Sequence, residues 1–134
     1  MPSGGQIGKI ASGGELSRFL LALKVCLTKG YTPVAMIFDE IDRGIGGATA
    51  DAVGRRLVRL SKNAQVLIVT HSPQVAALGD AHFQVVKSIT SNNTLTKVKP
   101  LDGDARIEEI ARMISGDKIT NAAINAAATL VDGR

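Results

Sequence analysis

The stretch VAMIFDEID, Val34 to Asp42, decides how the rest of the chain is read. Its apolar half is short and unbroken, the pattern of a strand buried on both faces in a parallel sheet. Its acidic half places Asp39 and Glu40 at the C-terminal end of that strand, where open α/β sheets bind ligands. One carboxylate there suits a hydrated Mg²⁺, which keeps several waters and takes one or two protein oxygens. Its neighbour can orient and deprotonate an attacking water. A solvated acidic loop after a strand is the plainer reading of the same residues. The next segment, Asp42 with RGIGG (Arg43 to Gly47), taken by itself is a flexible turn.

Downstream, a helix is expected from about Ala48 to Ser61, with Val53, Leu57 and Leu60 on its inner face, and then a second buried strand, Val66 to Val69. Strand, helix and strand form a crossover unit with parallel strands. The second strand ends in VTHSPQVAA (Val69 to Ala77), so His71 should emerge at the same sheet edge as Asp39 and Glu40. A lone histidine after a strand is usually structural. Beside two carboxylates it becomes a polar partner for a terminal phosphate or an attacking water. His71, His82 and Cys26 lack the spacing of a metal site.

Upstream, Met1 to Gly8 reads as a flexible lead-in. ASGGELSR (Ala11 to Arg18) then opens a helix in which Leu16, Leu20, Leu23 and Leu27 recur at helical spacing. Ser12 and Glu15 fit a capping box, which needs no ligand. Gly13 and Gly14 exceed what a cap requires: residues without side chains allow close backbone approach, and free N–H groups at a helix start attract phosphate. Beyond His71 come a short helix, Gln74 to Leu78, a hairpin of His82 to Lys87 with Thr94 to Pro100, and two helices, Ala105 to Ile114 and Thr120 to Val131.

The composition adds bounds. The 134 residues suffice for one domain. Aromatic residues make up 3%, which disfavours a base-stacking platform for single strands. A net charge of +4 is compatible with phosphate ligands and nucleic acid but singles out neither. The lone Cys26 excludes an internal disulfide and fits a cytoplasmic setting, and no apolar run approaches a membrane span, so no membrane partner is expected.

The order of these elements, and the strings KIASGGELSR, IFDEIDRGIGGATADAVGRRL, VTHSPQVAA and PLDGDARIEEIARMISG, resemble the C-terminal part of the ATPase head of the bacterial RecN family of DNA-repair proteins, ABC-type and SMC-like ATPases. The resemblance covers nearly the whole chain after Gly8. SMC-like heads of the wider group more often carry a leucine-containing loop where this chain has RGIGG. The fold it implies is α/β: a partial ABC-ATPase-like (P-loop NTPase) head, residues 9–134, with parallel strands and flanking helices, plus a C-terminal hairpin and two helices.

The resemblance further implies that Ser12, Gly13 and Gly14, with Glu15 beside them, form a signature motif contacting the γ-phosphate of ATP on the opposite subunit. It makes Asp39 the support of Mg²⁺, Glu40 the general base, Asp42 part of a loop crossing the dimer interface, and His71 the switch histidine. It implies ATP and Mg²⁺ as cofactors, a second head bound as a homodimer through ATP, and DNA in the full-length context, where the protein would be nucleoid-associated.

Phosphoryl transfer also needs a cradle for the β- and γ-phosphates, commonly G-x-x-x-x-G-K-[ST]. GGQIGKI (Gly4 to Ile10) has the wrong spacing and Ile10 in place of the hydroxyl residue, and SGGQ at Ser3 to Gln6 precedes no amphipathic helix. The chain is therefore expected to be the C-terminal piece of a larger head, inactive alone. An N-terminal half would carry the phosphate cradle (Walker A) and the coiled coil, and would cover an open sheet edge here. The alternatives are a non-catalytic module for head dimerisation or DNA docking, through Arg55, Arg56, Arg59 and Lys62, and a head fragment of another SMC-like ATPase. An ABC transporter fragment fits poorly, because the signature ends in Glu15 rather than Gln.

Overall fold

A computed structural model of the chain describes residues 18, 22, 35–90 and 93–134. The expected flexible lead-in, Ser12, Gly13, Gly14, Glu15 and Cys26 lie outside the described residues, as do the leucines of the first expected helix; Arg18 and Ala22 have helical backbone. The chain divides into two units, Met1–Val75 and Ala76–Arg134.

In the first unit, β1 (Met36–Asp39) and β2 (Val66–Val69) pair in parallel, with Met36 opposite Val66 and Asp39 opposite Val69. Between them runs α1 (Gly47–Ser61), which buries Ala50, Val53, Leu57 and Leu60. These four recur every three or four residues and make one apolar stripe. The stripe packs with Met36, Phe38, Ile41 and Val75 into the unit's core. Burying the larger of these side chains, such as Leu57, Phe38 and Ile41, is worth ~1.5–3 kcal/mol each. An Asp51–Arg55 ion pair at 2.8 Å supports the outer face of α1, as the i,i+4 spacing predicts.

One expectation needs correction. Both strands read as buried on both faces, yet β1 alternates buried and exposed, and β2 half-buried and exposed. Ile37 is 66% exposed, Leu67 53% and Val69 51%. The cause is that helix α1 covers one face of a two-stranded sheet, and among the described residues nothing packs on the other.

The second unit holds an antiparallel hairpin, β3 (His82–Thr90) with β4 (Asn93–Leu101), in register from His82 opposite Leu101 to Thr90 opposite Asn93. Both strands are longer than the spacing predicted. The short helix α2 (Pro73–Ala77) spans the unit boundary, and α3 (Gly103–Ser115) and α4 (Asn121–Asp132) follow the hairpin. Gly116, at φ +76° and ψ −155°, ends α3 in an extended positive-φ conformation that is essentially open to glycine alone. Thr120 caps α4 by accepting a bond from the Ala123 amide at 3.2 Å. Ile110, Ala111, Ala123 and Ala127 form this unit's core with Ala77. Ile114, one residue from the end of α3, is 40% exposed.

Candidate functional site

The C-terminal ends of β1 and β2 bring the acidic pair and the histidine to one edge of the parallel sheet. Asp39 is the last residue of β1 and lies opposite Val69, the last of β2. The Glu40 amide extends the ladder by donating to the Val69 carbonyl at 2.9 Å. Past that point the two chains diverge, one into the loop from Glu40 and the other through Thr70 and His71. Asp39, Glu40 and His71 are all solvent-exposed.

Glu40 has a φ of +47°, the only positive φ at a non-glycine among the described residues. A left-handed conformation costs an L-residue roughly 1–2 kcal/mol. Non-glycine residues held there concentrate at functional sites. The Glu40 carboxylate accepts from the Arg43 guanidinium at 3.4 Å, a long contact with both side chains largely exposed. Such pairs contribute little, so the carboxylate is free to meet a ligand. Gly44, at φ +73°, makes the bend of the loop, and a Cβ there would meet nothing within 4 Å; conformation, not space, calls for glycine.

The loop after Glu40 is anchored rather than free. Ile41 and Asp42 are each 3% exposed, while Arg43 and Gly44 face solvent. The Thr70 hydroxyl donates to Asp42 Oδ2, and Thr70 Oγ1 accepts from the Ser72 amide at 2.9 Å. Asp42 Oδ1 is buried with no hydrogen-bond partner. The side chain that the resemblance places in an inter-subunit loop is thus held inside its own subunit. Neither the Asp42 contact nor the role of Thr70 was visible in the sequence; the one signal was a hydroxyl residue next to the histidine at a strand end.

Hard oxygen donors are present at the edge in Asp39 and Glu40, a set that suits Mg²⁺ shared with phosphate oxygens better than an all-protein cage. Among the described residues no cluster of three or more His, Cys, Asp or Glu is placed to hold a metal alone.

A second feature lies beside α1. Arg18 and Ala22 line a cavity of about 230 Å³ with Thr49, Ala52, Val53 and Arg56. Arg55 is tied to Asp51, whereas Arg56 has no ion pair among the described residues.

No known family model matches the chain. Individual proteins do. The chain is 52% identical over 125 residues to the DNA repair protein RecN of Rickettsia bellii, covering 93% of this chain and 23% of that protein. It is 46% identical over 129 residues to RecN of Deinococcus radiodurans, covering 96% and 22%. RecN of Bacillus subtilis is 42% identical over 115 residues, covering 86% and 20%. The chain thus spans under a quarter of the length of these relatives, in their C-terminal part. Among solved structures, a chain described under "Structural biochemistry of ATP-driven dimerization and DNA stimulated activation of SMC ATPases" superposes with a TM-score of 0.59 at 21% identity, covering 82% of this chain and 66% of that one. At that identity the likeness is one of fold, and it agrees with the partial ATPase head expected from the sequence.

Proposed function

We propose that this chain, a relative of the C-terminal part of the RecN DNA repair proteins, supplies one side of a shared ATP site in a DNA-repair ATPase head. The observation that carries the reading is the convergence of Asp39, Glu40 and His71 at one sheet edge, with Glu40 held in a strained backbone by the Val69 carbonyl. Asp39 offers an oxygen to the hydration shell of Mg²⁺. Glu40 accepts the proton of the attacking water. His71 donates to the terminal phosphate or holds that water in line. Mg²⁺, when bound, neutralises the charge that develops on the phosphate oxygens.

Ser12, Gly13, Gly14 and Glu15 supply the signature contact to the γ-phosphate of ATP held by a second head, a role carried by resemblance. The anchor for the β- and γ-phosphates comes from a segment with a Walker A sequence, which this chain lacks. In the full-length setting the head pairs with a second copy through ATP and acts on DNA at the nucleoid in the cytoplasm.

The test is steady-state ATPase activity of this chain mixed with a separately made N-terminal head segment, wild type beside Glu40→Gln. Activity should appear on mixing and fall roughly 10²- to 10⁴-fold with the variant. Halves that bind each other but never turn over ATP would defeat the reading.

Arg56, exposed on α1 and without an ion pair among the described residues, favours a second reading, a module docking on DNA phosphate. It predicts salt-sensitive DNA binding that weakens on charge reversal of Arg56 and Arg59. Binding that ignores salt, or none, would remove it.

A further inference from the structure

We propose that Thr70 is a positioning residue of the site: its bond to the buried Asp42 carboxylate ties the loop that carries Glu40 to the loop that carries His71. The inference rests on the ATPase reading of that site.

Asp42 and Thr70 stand 28 positions apart in the chain, so their bond joins segments that α1 and β2 separate. A carboxylate that is 3% exposed is costly unless hydrogen-bonded. Its Oδ1 has no partner, and among the described residues Thr70 alone bonds its Oδ2. The hydroxyl has no freedom to turn elsewhere. Its proton is committed to Asp42, and one lone pair is occupied by the Ser72 amide at 2.9 Å. The direction of the chain of bonds is therefore fixed, from Ser72 N–H to Thr70 to Asp42.

Glu40 is consequently fastened on both sides. Before it, the sheet ladder ends at its own amide on the Val69 carbonyl; after it, Asp42 is held by Thr70. His71 follows Thr70 directly and takes its starting point from the same tether. A base and a phosphate partner acting on one water need a constant spacing, and a displacement of about 1 Å can cost ~10²-fold in rate. A hydroxyl is the group this position requires. Serine keeps it, while valine has nearly the same shape and leaves the buried carboxylate with no donor.

The experiment compares wild type, Thr70→Val, Thr70→Ser and Glu40→Gln in the head reassembled with the nucleotide-anchoring segment. It adds amide hydrogen exchange on the chain itself. Thr70→Val should lower kcat roughly 10- to 100-fold with KM for ATP little changed, and Thr70→Ser should restore most of it. The Ser72 amide should exchange at least about 10-fold slower than an unstructured amide in the wild type and lose that protection in Thr70→Val, with the amides of α3 and α4 unaffected. Wild-type kcat in Thr70→Val, or a loss in Thr70→Ser as deep as in Thr70→Val, would overturn the tether. An unprotected Ser72 amide in the wild type would overturn it too, even if Thr70→Val does not fold. Glu40→Gln separates the two levels: activity that survives it sinks the ATPase reading, whereas loss with Glu40→Gln but not with Thr70→Val sinks the tether alone.

Discussion

The Glu40 amide donates to the Val69 carbonyl at 2.9 Å, one step beyond the last paired residues of the parallel sheet, and does so from a backbone with φ of +47°. The sheet thus ends by placing a carboxylate at its edge in a conformation glycine would adopt at lower cost.

That relationship gives a stability test independent of activity. At most positions alanine is more stable than glycine by ~0.5–1 kcal/mol, because glycine loses more freedom on folding. At position 40 the left-handed backbone should reverse the order. Glu40→Gly is expected to be more stable than Glu40→Ala by about 1 kcal/mol, read as the difference in urea midpoints at constant m. Both variants remove the carboxylate, so the comparison isolates the backbone. Alanine equal to or better than glycine would show that Glu40 is not strained.

Arg106 offers a test of the second unit. It is 7% exposed, and its Nη2 donates to the carbonyls of Ala76 at 3.3 Å, Ala77 at 2.9 Å and Gly79 at 2.6 Å. These are carbonyls at the C-terminal end of α2 and just past it, which have no acceptor role inside the helix. Burial lowers the Arg106 pKa, with Arg134 adding to that effect and Asp80 opposing it; it stays charged at neutral pH. Arg106→Met keeps much of the stem but takes the guanidinium from all three carbonyls. The Gly79 amide still serves Ala76 and Arg134 still serves Gly79, so the Ala77 carbonyl alone loses its donor. The cost should be about 1–3 kcal/mol in chemical denaturation. Arg106→Lys, a point donor in place of a fork, should recover only part. A loss below about 0.5 kcal/mol in Arg106→Met would mean that water satisfies that carbonyl just as well.

How far the sequence led is clearest at these two places. The alternation of β1, helix and β2, and the delivery of Asp39, Glu40 and His71 to one edge, were legible because period and order alone determine them. Asp42 was not. Sequence makes it one more acid in a glycine-rich turn, and only the packing of Ile41 beside it draws that carboxylate inside, within reach of Thr70. Arg106 was equally hidden: a charged residue between Ala105 and Ile107 reads as solvated surface, and its partners are main-chain atoms that no side-chain pattern encodes. The exposed faces of β1 and β2 show the opposite failure. An unbroken apolar run states that a face is to be covered without saying by which segment.

The sheet face that no described residue covers is apolar. Ile37 and Leu67 lie opposite each other in register, with Val69 two residues on, and all three are more than half exposed. A contiguous apolar patch on a short sheet favours association. Sedimentation of the chain across a wide concentration range is expected to show growing oligomers. The double substitution Ile37→Thr with Leu67→Thr should reduce them while leaving the far-UV spectrum unchanged. A wild-type chain that stays monomeric throughout would refute this.

His82 gives the chain a pH dependence with a definite sign. Its Nδ1 is buried without a hydrogen-bond partner. Burial lowers its pKa from 6.5, the nearby Arg106 charge lowers it further, and Glu109 opposes both without prevailing. The folded state therefore prefers neutral imidazole, and between the lowered folded value and 6.5 the unfolded chain binds more protons. Stability must rise with pH across that window. The contribution is fully present above 6.5 and is lost as pH falls through the folded value. Urea midpoints of wild type and His82→Gln, measured in half-unit steps from about pH 7.5 down to about pH 5, should show the wild type losing stability faster below 6.5. Glutamine carries no titrating proton, so the difference between the two curves isolates this group from every other ionisation. Parallel curves would mean that the imidazole protonates equally well in the folded and unfolded chain, and that Nδ1 reaches water.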